Sequence, residues 1–67
     1  MTDTKLLRDK IKSSGIKQSH IATLLGLSNQ ALINKIENDS EFKASEIHQL
    51  RKILKLTAKE RDSIFFA

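Results

Sequence analysis

A chain of 67 residues makes one small domain, and folding at this size buries only roughly 60% of the surface that the unfolded chain exposes. It is 39% hydrophobic and 30% charged, with no Cys, no Pro and two Gly. This is too apolar for simple disorder, and it excludes disulfides and thiolate metal sites. One domain this small rarely holds both a core and a pocket of ~300 Å³, so a metabolic enzyme is not expected.

The net charge of +4 is uneven: +3 over residues 1–27, −1 over 28–44 and +2 over 45–67. Such a balance favours a polyanionic partner, with nucleic acid first, against a basic surface that has no partner. No apolar run approaches the ~18 residues of a membrane span and no signal peptide opens the chain, so an intracellular location is expected.

Sparse turn punctuation among many Leu, Ile, Lys and Glu predicts an all-α domain. The first helix is predicted from about Asp3 to Ser14, capped by Asp3 or Thr4, with Leu7 and Ile11 on its inner face and Gly15 as a left-handed stop. The second is predicted over Gln18 to Leu25, ended by Gly26. Ser28 caps the third, which runs to about Glu37 with Leu32 and Ile36 inward. Asn38-Asp39-Ser40 reads as a loop. The fourth spans Ala44 to about Leu54 and buries Ile47, Leu50, Ile53 and Leu54. The fifth opens on Thr57-Ala58-Lys59-Glu60, a capping box, and closes on Ile64, Phe65 and Phe66. Ile16 and Ile21, Leu27 and Leu32, and Phe42 and Ile47 each have the spacing of a hydrophobic staple.

The stretch from Gln18 to Glu37 is the informative one. Ala22 is small where two helices approach, Gly26 takes the turn, and Leu25, Leu27 and Leu32 fill the angle between them. Leu32 and Ile36 inward, at about 100° per residue, put Asn29, Gln30, Ile33, Asn34 and Glu37 on the outer half of the third helix. Asn and Gln amides both donate and accept, which matches adenine N6 and N7 in a major groove, and Ile33 suits a thymine methyl. The alternative is that these amides are solvated surface.

In Gln18, Ala22, Gly26, Ser28 and Leu32 the chain resembles the helix-turn-helix domain of phage Cro proteins and repressors. Phe42, Glu46-Ile47, Leu56-Thr57, Glu60 and Ile64-Phe65-Phe66 look like the small Cro-like proteins of phages from Gram-positive bacteria. The resemblance implies one five-helix, lambda-repressor-like domain over residues 1–67, with the helix-turn-helix at about 18–37. It further implies a transcriptional regulator in the cytoplasm or nucleoid of a bacterial host, binding a double-stranded DNA operator as a dimer with its third helix in the major groove.

The expected base contacts are Ser28, Asn29, Gln30, Ile33 and Asn34. The expected phosphate contacts are Lys17, Gln18, Lys35, Asn38 and Lys43; that of Gln18 is also what the resemblance implies. Two departures stand out. Glu37, Asp39 and Glu41 make the loop that would skirt phosphate partly repulsive. Where many members of the family carry a buried arginine–glutamate pair, this chain has Ile11 and Ile36.

No cofactor, metal or catalytic residue is expected. His20 and His48 lack ligand spacing, and Ser13, Ser14 and Ser19 lack a base. The apolar tip Ile64, Phe65 and Phe66 is the expected contact of a weak homodimer, against the alternative that its rings fold into the core. The rival function is a protein-binding modulator that docks on a repressor, which the acidic loop and the terminal Phe residues favour.

Overall fold

Four of the five helices begin where a backbone N–H finds a side-chain acceptor. In a computed structural model describing residues 1–67, Asp3 caps α1 (Thr4–Ser14) by accepting the Leu6 N–H at 3.0 Å. Ser28 caps α3 (Asn29–Ile36) by accepting the Ala31 N–H at 3.1 Å. Thr57 and Glu60 form the reciprocal box that starts α5 (Ala58–Phe65), at 3.1 and 2.9 Å. Lys17 precedes α2 (Gln18–Leu25) without a side-chain cap, because an ammonium has no lone pair to offer. Lys43 has the same deficiency before α4 (Ala44–Ile53), but there the Glu46 carboxylate reaches back to the Lys43 N–H at 2.8 Å and supplies half of a box.

The ends of α1 to α4 are set by left-handed residues. Gly15 and Gly26 adopt φ of 73° and 70° after α1 and α2. Asn38 and Lys55 hold φ of 66° and 54° after α3 and α4. Asn tolerates this region through local hydrogen bonding, whereas Lys carries its full steric cost. The third and fourth helices therefore stop one residue short of the expected Glu37 and Leu54.

The structure is all-helical, with five helices and no strand. α1 packs on α3 and α5, α2 on α3 and α4, and α4 on α5. Leu7, Ile11, Ile21, Ala22, Leu32, Ile36, Leu50, Leu56, Ile64 and Phe65 form one core. Phe42 meets Phe65 edge to face, with ring centroids 5.4 Å apart. Ile11 and Ile36 are both core residues, and the ion pair between these helices lies at the surface instead, Arg8 to Glu37 at 2.6 Å. The chain ends are joined where the Asp3 N–H donates to the Ile64 carbonyl at 2.6 Å. No helix is long and apolar enough to cross a membrane.

Three inward assignments change, all among the residues expected inside α4. In α4 only Leu50 of the four expected apolar residues is fully enclosed, while Ile47, Ile53 and Leu54 are half-buried. Glu46 takes the inner place in the first turn, because its carboxylate has partners there. At the C-terminus Ile64 and Phe65 are 0% and 4% exposed, whereas Phe66 is 64% exposed.

Candidate nucleic-acid interface

The junction of α2 and α3 is closed by backbone hydrogen bonds. The Gly26 N–H donates to the Thr23 carbonyl at 3.1 Å, and the Leu27 N–H donates to the Ala22 carbonyl at 2.8 Å. A Cβ at Gly26 would meet nothing within 4 Å, so its positive φ, rather than crowding, is what requires glycine. Ala22, Leu32 and Ile36 are enclosed, which fixes the roll of α3 and hence its outer face.

On that face Ser28, Asn29 and Gln30 are exposed, and Ile33 and Asn34 are half-buried at its margin. The Ser28 oxygen accepts from Ala31 while its hydroxyl hydrogen stays free to donate outward. Gln30 Nε2 donates to Asn34 Oδ1 at 2.9 Å, so these two amides are oriented by each other.

The five expected phosphate contacts divide. Lys17 is exposed and unpaired beside the uncapped start of α2, where Gln18 sits half-buried and the dipole is positive. Lys43 is exposed and its ammonium is unpaired. Lys35 is elsewhere: its Nζ lies 2.7 Å from Glu46 Oε1, and the two side chains are 11% and 8% exposed. The Glu46 carboxylate on α4 draws the lysine inward, so Lys35 is an internal tie between α3 and α4, not a rim cation. Asn38 is also committed. Its Oδ1 accepts the Thr2 N–H at 2.9 Å, and its Nδ2 donates to the Thr2 carbonyl at 2.8 Å. Its amide holds the N-terminal segment and leaves little for a phosphate.

The acidic loop is less repulsive than its composition. Arg8 offsets Glu37, while Asp39 and Glu41 remain exposed without an ion pair. Burial pushes the Glu46 carboxyl up, but the Lys35 ammonium and the Lys43 N–H outweigh it, and the group is held below its ordinary value of 4.5. At the other end of the molecule the Lys10 ammonium and the Thr57 N–H lower Glu60 to about 2.

The residue that sequence reasoning missed here is Glu46. Its signal was present: Lys43 to Glu46 has the same three-residue interval as Thr57 to Glu60. The expected dimer contact also contracts. Ile64 and Phe65 belong to the core of a single copy, because α5 turns that face toward α1 and α4, and they leave almost no surface to offer a second chain. Phe66 alone projects, beside an open groove lined by Phe42, Ala44, Ile47, His48 and Arg61. Comparisons with protein-family models, curated proteins and solved structures find no match to this chain.

Proposed function

We propose that this protein is a sequence-specific double-stranded DNA-binding regulator of transcription that lays α3 in the major groove. The observation that carries the proposal is the outer face of α3. Its inner residues Leu32 and Ile36 are fully enclosed, and its exposed flank presents Ser28, Asn29 and Gln30 with Ile33 and Asn34 beside them. A net charge of +4 and the exposed, unpaired Lys17 and Lys43 support it.

One copy offers one helix to one groove, so a paired operator read by two copies gives the useful specificity. Phe66 and the groove beside it are the surface for that weak homodimer. The same exposed Phe66 favours the second function, docking on a repressor protein in place of DNA. The setting in either case is the bacterial cytoplasm or nucleoid.

Selection from random duplexes is the deciding experiment: DNA reading returns a consensus, and protein docking returns none. The bound duplex should also show salt dependence. Lys17, the start of α2 and Lys43, taken on two copies, neutralise roughly six phosphates, for a log–log slope of about −5. A slope near zero removes the phosphate contacts and promotes the docking function.

A further inference from the structure

The outer face of α3 carries a hydrogen bond with two unequal ends. Gln30 Nε2 donates to Asn34 Oδ1 at 2.9 Å, one helical turn along. Asn34 is half-buried, and its backbone carbonyl accepts the Asp39 N–H at 2.8 Å and the Ser40 N–H at 3.3 Å. The turn after α3 thus closes on the backbone of the residue whose side chain receives the bond. Gln30 is exposed and reaches farther from the backbone. Asn34, shorter and half-buried, is the more confined end of the pair, and Gln30 the longer arm.

A side-chain amide has one carbonyl and two N–H donors. With one N–H used on Asn34, Gln30 keeps its carbonyl and one N–H. An acceptor beside a donor complements adenine, which offers an N6 donor and an N7 acceptor in the major groove. Guanine offers two acceptors, O6 and N7, and needs two donors. Building on the DNA-reading function above, we propose that Asn34 is a positioning residue for Gln30, and that the pair commits Gln30 to adenine and against guanine. The reversed pair, with Asn34 donating to the Gln30 carbonyl, leaves Gln30 both N–H groups and one carbonyl lone pair, and so removes the bias against guanine. A preference for adenine over guanine therefore reports the pair in which Gln30 donates.

The test begins with selection from random duplexes by the unsubstituted protein and by Gln30→Ala. The position whose preference disappears in Gln30→Ala is the one Gln30 reads, and adenine is expected there over guanine by roughly 5- to 150-fold. Asn34→Leu, Asn34→Asp and the double variant Gln30→Ala/Asn34→Leu are then titrated with the adenine and guanine versions of the site. Asn34→Leu should lower the adenine-to-guanine ratio roughly 2- to 10-fold, the loss of an ordered side chain. Asn34→Asp keeps an oxygen for the Gln30 N–H, so the ratio should survive while the added charge weakens both duplexes alike. In the Gln30→Ala background, Asn34→Leu should leave that ratio unchanged. Guanine at the position overturns the commitment to adenine, and a ratio unmoved by Asn34→Leu, a ratio lost in Asn34→Asp, or an Asn34 effect that persists without Gln30 each overturns the positioning role, while DNA reading stands in every case. A selection that returns no consensus sinks DNA reading and the positioning role together.

Discussion

Replacing Glu46 by Gln should destabilise the domain far more than an ordinary polar substitution. The carboxylate oxygen Oε1 takes two hydrogen bonds, from Lys35 Nζ at 2.7 Å and from the Lys43 N–H at 2.8 Å. A glutamine carbonyl can still accept the Lys43 N–H, so the substitution isolates the charge. It leaves an ammonium at 11% exposure without its counter-charge. Removing one partner of a buried pair costs about 3–5 kcal/mol, and the flexible lysine stem can recover part by reaching toward water, so about 2–3 kcal/mol is expected. A 67-residue domain has a total stability of roughly 3–10 kcal/mol, and about 1 kcal/mol shifts its melting temperature by about 4–8 °C. Thermal unfolding at pH 7, followed by helical circular dichroism, should therefore drop by about 10–20 °C.

Adding Lys35→Met removes the stranded charge. The double variant should return to within about 1 kcal/mol of the original protein, since an apolar filling can replace a buried pair at little cost. The same experiment has a pH arm. The Glu46 carboxyl is held below 4.5 when folded, so its contribution is complete above that value and is lost as pH falls below it. The original protein and Glu46→Gln should converge in stability in acid. A Glu46→Gln protein within about 0.5 kcal/mol of the original at pH 7, or a double variant as unstable as the sum of its parts, would refute the role of this pair. Lys35 belongs to α3, so the pair ties to α4 the helix proposed to enter the major groove.

On a selected duplex, Gln30→Ala should cost about 1–3 kcal/mol on the specific site and little elsewhere, whereas Lys17→Ala should weaken all duplexes alike and, lost from both copies, flatten the salt slope by about 2; gel-shift titrations at several salt concentrations separate the two. Phe65→Ala should cost about 3–5 kcal/mol of stability in urea unfolding, while Phe66→Ala should leave the monomer within about 1 kcal/mol of the original and weaken self-association in sedimentation; association unchanged by Phe66→Ala counts against the groove beside it. Lys55→Gly should raise stability by about 0.5–1 kcal/mol, the relief of left-handed strain less the added freedom of the unfolded chain, and a lowered melting temperature would contradict that strain. The carboxyl of Glu60 drops from 4.5 to about 2 on folding, so its contribution is full above about pH 4.5 and is lost as pH falls through about 2; acid titration of Glu60→Gln should show a flatter loss over that window.

The helix limits were legible in the sequence because the forces that set them are local. Asp3, Ser28 and Thr57 each cap through a bond to a residue three positions on, and Gly15 and Gly26 act through their own φ. The inner faces of α1 and α3 were legible for a related reason: at 100° per residue, Leu7 with Ile11 and Leu32 with Ile36 define one side of a helix whatever packs against it. Where a side chain's partner lies on another helix, the sequence offered no such rule. Lys35 meets Glu46 across 11 residues, Arg8 meets Glu37 across 29, and Asn38 holds Thr2 across 36. Each depends on how the helices are placed, and that placement turned two expected phosphate contacts into internal ties. The C-terminal tip shows the same division. Ile64, Phe65 and Phe66 are equally apolar as a string, and only the position of Phe42 and α4 decides that Phe65 turns inward and Phe66 is left to solvent. Helix formation is written in neighbours three and four apart, while the fate of a long charged or aromatic side chain is written in the packing of surfaces that the chain brings together only when it folds.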